Sequence, residues 1–352
     1  MPRSWSSIPA ALRQSRMSAA SRTLLLLLSI SLVQSWAPQQ PRRPLQWAPQ
    51  PPRRALRWAP PRRPLRPLAA SPDDAALVRV LDVLRDGEDA ASDAYEEKRG
   101  CFVFEPPGGA PWGVVHFVGG AALGTYPHVA YGELLRRVVA ETGVAVVATP
   151  FALSLDHETA AAECRAALDR CLGDWPPGLP VFGLGHSLGC KLLLLNEARA
   201  PRYERLVHVA ANNFGIVDSA RLLEVFLEGF EDGPAGDASP WGSIAEIVAA
   251  GAAMAGVEIA PSPEETLRRL DAVAAPCAFV TFDRDDLDCS ASLAAALPRR
   301  ANVAGLDGDH LTPVFVRVEG LDFAIGDSAA VAGVAKAVSD ALTAIPEVKL
   351  LA

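Results

Sequence analysis

The chain has 352 residues, half of them hydrophobic and about a fifth charged, a composition that fits a folded domain with a full core and excludes a fibrous or wholly disordered protein. Its formal charge of −8 conceals two unlike parts: residues 1 to 72 hold no Asp or Glu but 12 of the 33 basic residues, all Arg, so the other 21 basic residues face all 41 acids, a formal −20. So acidic a body argues against a nucleic-acid partner, which needs clustered Lys and Arg to neutralise phosphate.

Arg13, Arg16 and Arg22 precede an apolar run from Leu24 to Val33 that ends in small and short residues, the layout of a secretory signal peptide. Ten helical residues reach only about 15 Å, half a bilayer core, so no stable membrane span is expected in the mature protein. Trp36-Ala37-Pro38 follows and recurs at Trp47 and Trp58, eleven residues apart, amid Pro, Gln and Arg pairs. Such acid-free, Pro-rich sequence cannot pack a core and stays extended, as transit peptides do. A signal segment followed by an aromatic residue and an Arg-rich stretch resembles the bipartite presequences of algae with secondary plastids. The resemblance implies a plastid destination, with the secretory pathway as the alternative.

From about residue 100 the apolar pattern switches between short runs and helical periodicity, which predicts an α/β fold with a mostly parallel, doubly wound sheet over residues 73–352. Gly100 to Phe104 reads as an edge strand, and Trp112 to Val118 as a buried one ending at Gly119-Gly120. A helix from about Tyr131 to Thr142 leads to strand Val144 to Thr149, and Asp156 caps a helix running through Cys171. Strand Val181 to Leu184 meets Gly185-His186-Ser187-Leu188-Gly189, and helix Leu188 to Ala198 and strand Arg205 to Ala210 come next. Helical stretches at Ala220 to Phe230, Ile244 to Met254 and Pro263 to Ala272 then break the alternation and read as a lid inserted at about 215–272. Alternation resumes with strand Cys277 to Phe282, a helix near Ser290 to Leu297, strand Ala301 to Ala304 and a closing helix from Ser328 to Ala344.

The Gly-x-Ser-x-Gly segment carries the chemistry. A nucleophile elbow needs glycines two residues either side of the serine, because strand turns into helix with no room for Cβ atoms while the serine side chain is presented outward. Ser187 has both glycines, the apolar strand before it and the helix after it. A triad in this fold runs nucleophile, acid, histidine along the chain. Of the six histidines, His116, His128, His157, His186 and His208 fail that order or lie on strands, and His310 alone follows a suitable acid. The acid comes from the turn after strand Cys277 to Phe282. Asp285 is preferred for its offset from that strand, with Asp286 second; Asp283 and Asp288 are expected to cap a helix or face water. Oxyanion donors are expected from the amides of Leu188 and of Gly119 or Gly120.

The six cysteines show no metal-ligand spacing and fall within apolar runs, so they read as buried reduced thiols, and no metal or organic cofactor is implied. Phe117 to Ala121, Ala148 to Phe151 with Asp156-His157, Gly185 to Lys191, Asn212-Asn213-Phe214, the Asp-rich turn and His310 to Pro313 together resemble the domain-of-unknown-function 1350 family of the α/β-hydrolase clan, found in plants, algae and cyanobacteria. The resemblance spans about residues 100 to 345 and implies the fold, a photosynthetic lineage and a site centred on Ser187. The expected activity is serine hydrolysis of an ester or thioester, on a small acyl or lipid-like substrate to which the apolar lid and Trp241 point. A non-catalytic binding or assembly protein on the same fold is the alternative.

Overall fold

The computed structural model describes residues 95–121, 123–152, 154–215, 218, 258–299, 301–317 and 324–344. The leader and the expected lid helices at 220–230 and 244–254 lie outside the described residues.

Eight strands form one sheet: β1 (Glu96–Lys98), β2 (Cys101–Phe104), β3 (Val114–Val118), β4 (Ala145–Ala148), β5 (Val181–His186), β6 (Arg205–Val209), β7 (Cys277–Phe282) and β8 (Asn302–Leu306). Their order is β1-β2-β4-β3-β5-β6-β7-β8. β1 and β2 form an antiparallel hairpin, β2 runs antiparallel to β4, and every later neighbour pair is parallel. This is the α/β-hydrolase architecture. The central strands are predominantly apolar because helices cover both of their faces, and β3, β4, β5 and β6 are buried at every position, including His116, Arg205 and His208.

On one face lie α2 (Gly132–Thr142) and α7 (Ser328–Thr343), packing Leu134, Leu135, Val138, Val334 and Val338 against Val115, Phe117 and Val146. On the other lie α3 (His157–Leu172) and α4 (Leu188–Arg199), packing Leu168, Leu192 and Leu193 against Val114, Val147 and Val181. Caps set their starts. Asp156 accepts a hydrogen bond from the Thr159 amide at 2.9 Å, and Asp327 accepts one from Ala329 at 2.8 Å. A short helix α1 (Pro127–Ala130) precedes α2, and Gly143 ends α2 in the left-handed region at φ 72°.

Three expectations are corrected. Cys101–Phe104 is not the edge, because the polar triplet Glu96–Lys98 pairs outside it and leaves β2 wholly buried. β5 runs two residues further than expected, to His186, so the turn begins at the serine itself. The helical stretch at 263–272 divides into α5 (Pro263–Arg269) and a 3₁₀ turn (Leu270–Ala272). Both pack on the body near α4, with Thr266 and Leu270 fully buried. No described helix is long and apolar enough to cross a membrane.

All six cysteines are free, and five are buried. All six histidines are also buried. Outside the His310 position, burial pushes His116, His157, His186 and His208 down to about 3 and His128 to about 4, from 6.5. Each stays neutral in the fold where the unfolded chain would take up a proton. Their contribution is therefore complete above pH 6.5 and is lost progressively as pH falls from there toward 4 and 3. The urea midpoint is expected to drop steeply between pH 6 and pH 4; a midpoint that stays level across that range would show that these rings are protonated in the fold.

Candidate active site

The strand order reverses beside β3. From β3 the chain passes to β4 on one side and then to β5 on the other, so the crevice beyond the carboxyl ends of β3 and β5 is a topological switch point. Gly119-Gly120 leaves β3 there and Ser187 leaves β5. Ser187 has φ 53° and ψ −121°, a backbone state L-residues seldom adopt and one that costs on the order of 1–3 kcal/mol. The neighbouring glycines make it possible. A Cβ at Gly189 would collide with the Val118 carbonyl, and one at Gly185 would sit 2.7 Å from the Cys190 amide nitrogen. The Ser187 amide donates to Val209 O at 3.1 Å and the Asn212 amide donates back to Ser187 O at 3.3 Å, so β6 braces the elbow.

The loops after β7 and β8 are laced together beyond the last sheet pair, Phe282 with Leu306. Asp283 N donates to Leu306 O at 3.1 Å, Arg284 N to Gly308 O at 3.0 Å, and Gly308 N to Asp283 Oδ1 at 2.8 Å. That lacing sets Asp285 against His310. Asp285 Oδ2 lies 2.9 Å from His310 Nδ1, and Asp285 Oδ1 accepts from the Leu287 amide at 2.9 Å. On the far side of the ring, His310 Nε2 lies 2.9 Å from Ser187 Oγ. A carboxylate only accepts, so in the neutral imidazole Nδ1 carries the hydrogen and Nε2 is the acceptor facing the serine.

Three of the residues singled out from the sequence, Ser187, His310 and Asp285, thus form one continuous chain of hydrogen bonds. Asp286 is exposed and stands apart from it. Asp283 is exposed and supports Gly308; Asp288 accepts from the Ser290 amide at 2.8 Å, at the start of α6 (Ser290–Ala296). Burial raises the Asp288 carboxyl above its usual range. Leu188 opens α4, where backbone amides have no intrahelical acceptor and the helix dipole is positive.

Two expectations at the site change. Ser187 is not presented outward: it is 2% exposed and His310 5%. Gly120 approaches so closely that a Cβ there would sit 3.2 Å from Ser187 Cβ. Gly120 is also not a free donor, because its amide already donates to Tyr131 Oη at 2.9 Å. Gly119 packs under the same ring, where a Cβ would come 2.8 Å from Tyr131. Tyr131 is the residue the sequence did not reveal: it stands just ahead of α2, and nothing in the periodicity there marks a side chain that reaches the elbow. Among the described residues, no group of three or more His, Cys, Asp or Glu is gathered as ligands for a metal ion would be.

A mostly parallel sheet with a serine at a strand-to-helix elbow defines the class: this is an α/β-hydrolase-fold protein. A family model described as "Protein of unknown function (DUF1350)" matches residues 94–331, and the chain belongs to that family. No curated protein matches it. Among solved structures it is similar to the esterase domain of a Rhodothermus marinus protein, with 16% identity over 70% of this chain and 94% of that one and a TM-score of 0.43. It is also similar to dienelactone hydrolase from Anabaena variabilis, with 16% identity over 69% and 89% and a TM-score of 0.43. A third is the thioesterase domain from the curacin biosynthetic pathway, with 14% identity over 69% and 98% and a TM-score of 0.39.

Proposed function

We propose that the protein is a serine hydrolase that cleaves a carboxylic ester or thioester. One observation carries this reading: His310 bridges Ser187 and Asp285, its Nε2 2.9 Å from Ser187 Oγ and its Nδ1 2.9 Å from Asp285 Oδ2. In the reaction His310 Nε2 takes the Ser187 proton while Oγ bonds to the acyl carbon; the imidazolium so formed is stabilised by Asp285. The tetrahedral oxyanion is held by the Leu188 amide at the positive end of α4. Collapse expels the alcohol or thiol, which takes the proton from His310. Water activated by the same ring then releases the acid and restores Ser187.

Apolar sequence at Ile244 to Met254, with Trp241 beside it, supports an apolar acyl group as substrate. A non-catalytic binding protein is the second reading, favoured by the engaged Gly120 amide, which leaves one fewer donor for an oxyanion. A fluorophosphonate decides between them. The expected result is covalent labelling mapped to the peptide containing Ser187; an intact protein left unlabelled would establish the binding reading.

The Arg-rich, acid-free leader supports targeting to a plastid. Fused to a fluorescent reporter, residues 1 to 72 are expected to carry it into that organelle, and secretion of the fusion or its retention in the cytosol would refute the assignment.

A further inference from the structure

His310 is held at two places. Its ring lies between Ser187 and Asp285, and its backbone carbonyl lies 2.9 Å from Nε2 of His186. A carbonyl can only accept, so Nε2 of His186 must carry the hydrogen, which leaves Nδ1 of that neutral ring as a lone pair. Tyr131 Oη lies 2.8 Å from that Nδ1, and the tyrosine therefore donates there. Its oxygen in turn accepts from the Gly120 amide at 2.9 Å. The direction of every hydrogen is fixed from one end to the other: Gly120 N–H to Tyr131 O–H, Tyr131 to His186, and His186 to the carbonyl of His310. Tyr131 and His186 are both buried. Burial pushes His186 down to about 3 and raises the Tyr131 phenol, so neither group titrates near neutral pH and reverses the order.

We propose that Tyr131 and His186 are positioning residues that hold the base of this site in register with its nucleophile. The inference rests on the reading of Ser187 and His310 given above. Three features support it. First, His310 follows β8, the outer strand of the sheet and exposed along nearly its whole length, so the sheet packs that loop on one side only. Second, the Asp285 contact fixes the ring and not the main chain. Third, His186 and Ser187 are consecutive residues of one elbow, so the rigid turn that carries the nucleophile also carries the clamp on the base. A displacement of one moves the other with it. The same tyrosine oxygen secures the Gly119-Gly120 loop, which joins the ends of β3, β5 and β8 through a single hydroxyl. Displacing a reacting group by about 1 Å can cost on the order of a hundredfold in rate.

The test uses the full chain, with two readouts. One is the rate of Ser187 labelling by a fluorophosphonate, separated into its saturation constant and its limiting rate. The other is the downfield proton resonance of the His310 Nδ1–H bound to Asp285. Tyr131→Phe keeps the ring that packs on Phe117, with centroids 4.9 Å apart, and removes only the hydroxyl. His186→Leu removes both hydrogen-bonding groups, whereas His186→Gln restores a donor for the His310 carbonyl. The limiting rate is expected to fall about tenfold in Tyr131→Phe and about a hundredfold in His186→Leu. The saturation constant should be unchanged, and His186→Gln should recover most of the loss. The resonance should broaden in His186→Leu and return in His186→Gln. A Tyr131→Phe protein that melts as the wild type does and labels at its rate would overturn the proposal, as would equal losses in His186→Leu and His186→Gln. If the wild type is not labelled at all, the hydrolase reading fails by itself. The resonance then decides the positioning role: dependence on residue 186 supports it, and indifference overturns it.

Discussion

Ser187→Ala is expected to lower ester turnover by about 10⁴-fold or more and to abolish fluorophosphonate labelling, with a urea midpoint close to that of the wild type. The fold should tolerate the change because alanine keeps the Cβ that the elbow accommodates at φ 53°, and what is lost is one oxygen with one hydrogen bond to His310. The nearest described thiol offers no substitute for the Ser187 hydroxyl. Cys190, three residues along, is fully buried, its thiol is pushed well above its usual range, and its Sγ donates to Val209 O at 3.6 Å. A thiol so protonated is inert. His310→Ala is expected to cost about as much as Ser187→Ala, and the double variant no more than either, because nucleophile and base act as one unit. Additive losses would mean that the two residues work separately, and full turnover in Ser187→Ala would mean that the observed hydrolysis comes from another group. The rate left over in the variants would measure what the Leu188 amide and substrate binding supply without a nucleophile.

Sequence and structure agree where a residue's placement is dictated locally. The buried strands are legible because Val114–Val118 and Cys277–Phe282 are apolar on both faces save for His116 and Thr281, as a sheet covered by helices demands. The elbow could be read because its glycines answer a steric requirement within five residues. The sequence prefers Asp285 to Asp286 by its offset from the strand and by the leucine two residues after it. The structure supplies the reason: Oδ1 of Asp285 folds back onto the Leu287 amide in an Asx turn, which aims Oδ2 at the histidine loop and leaves Asp286 in solvent. What escaped the sequence depends on contacts between distant residues or on backbone states that residue type does not announce. β1 is a polar triplet with no strand signature. It is made by the turn at Arg99-Gly100, where both residues have positive φ, 54° and 78°, as a tight hairpin requires, yet arginine gives no hint of it. The engagement of Gly120 depends on Tyr131, eleven residues away and on the far side of a 3₁₀ turn. Glycines at the end of a strand show that a loop can approach closely; they do not show whose hydroxyl it will meet.

Asp285→Asn probes the acid of the site and is expected to lower turnover by about 10⁴-fold with little change in substrate affinity. Asparagine is nearly isosteric, so the loss would come from the direction of one hydrogen. The Leu287 amide is a donor and needs the side-chain oxygen that Asp285 now gives it. Asparagine placed with its oxygen there turns its NH₂ toward His310 Nδ1, which must then become the acceptor. The ring's hydrogen shifts to Nε2, the atom facing Ser187, and the imidazole can no longer take the serine proton. Flipping the amide would restore the ring's tautomer only by setting two donors, NH₂ and the Leu287 N–H, against each other in a pocket where the Asp285 side chain is fully buried. Asp286→Asn, on the exposed neighbour, is expected to turn over substrate at nearly the wild-type rate. Steady-state kinetics on one ester would separate the two, and equal losses in both variants would return the choice of acid to the open pair that the Asp-rich turn presents in the sequence.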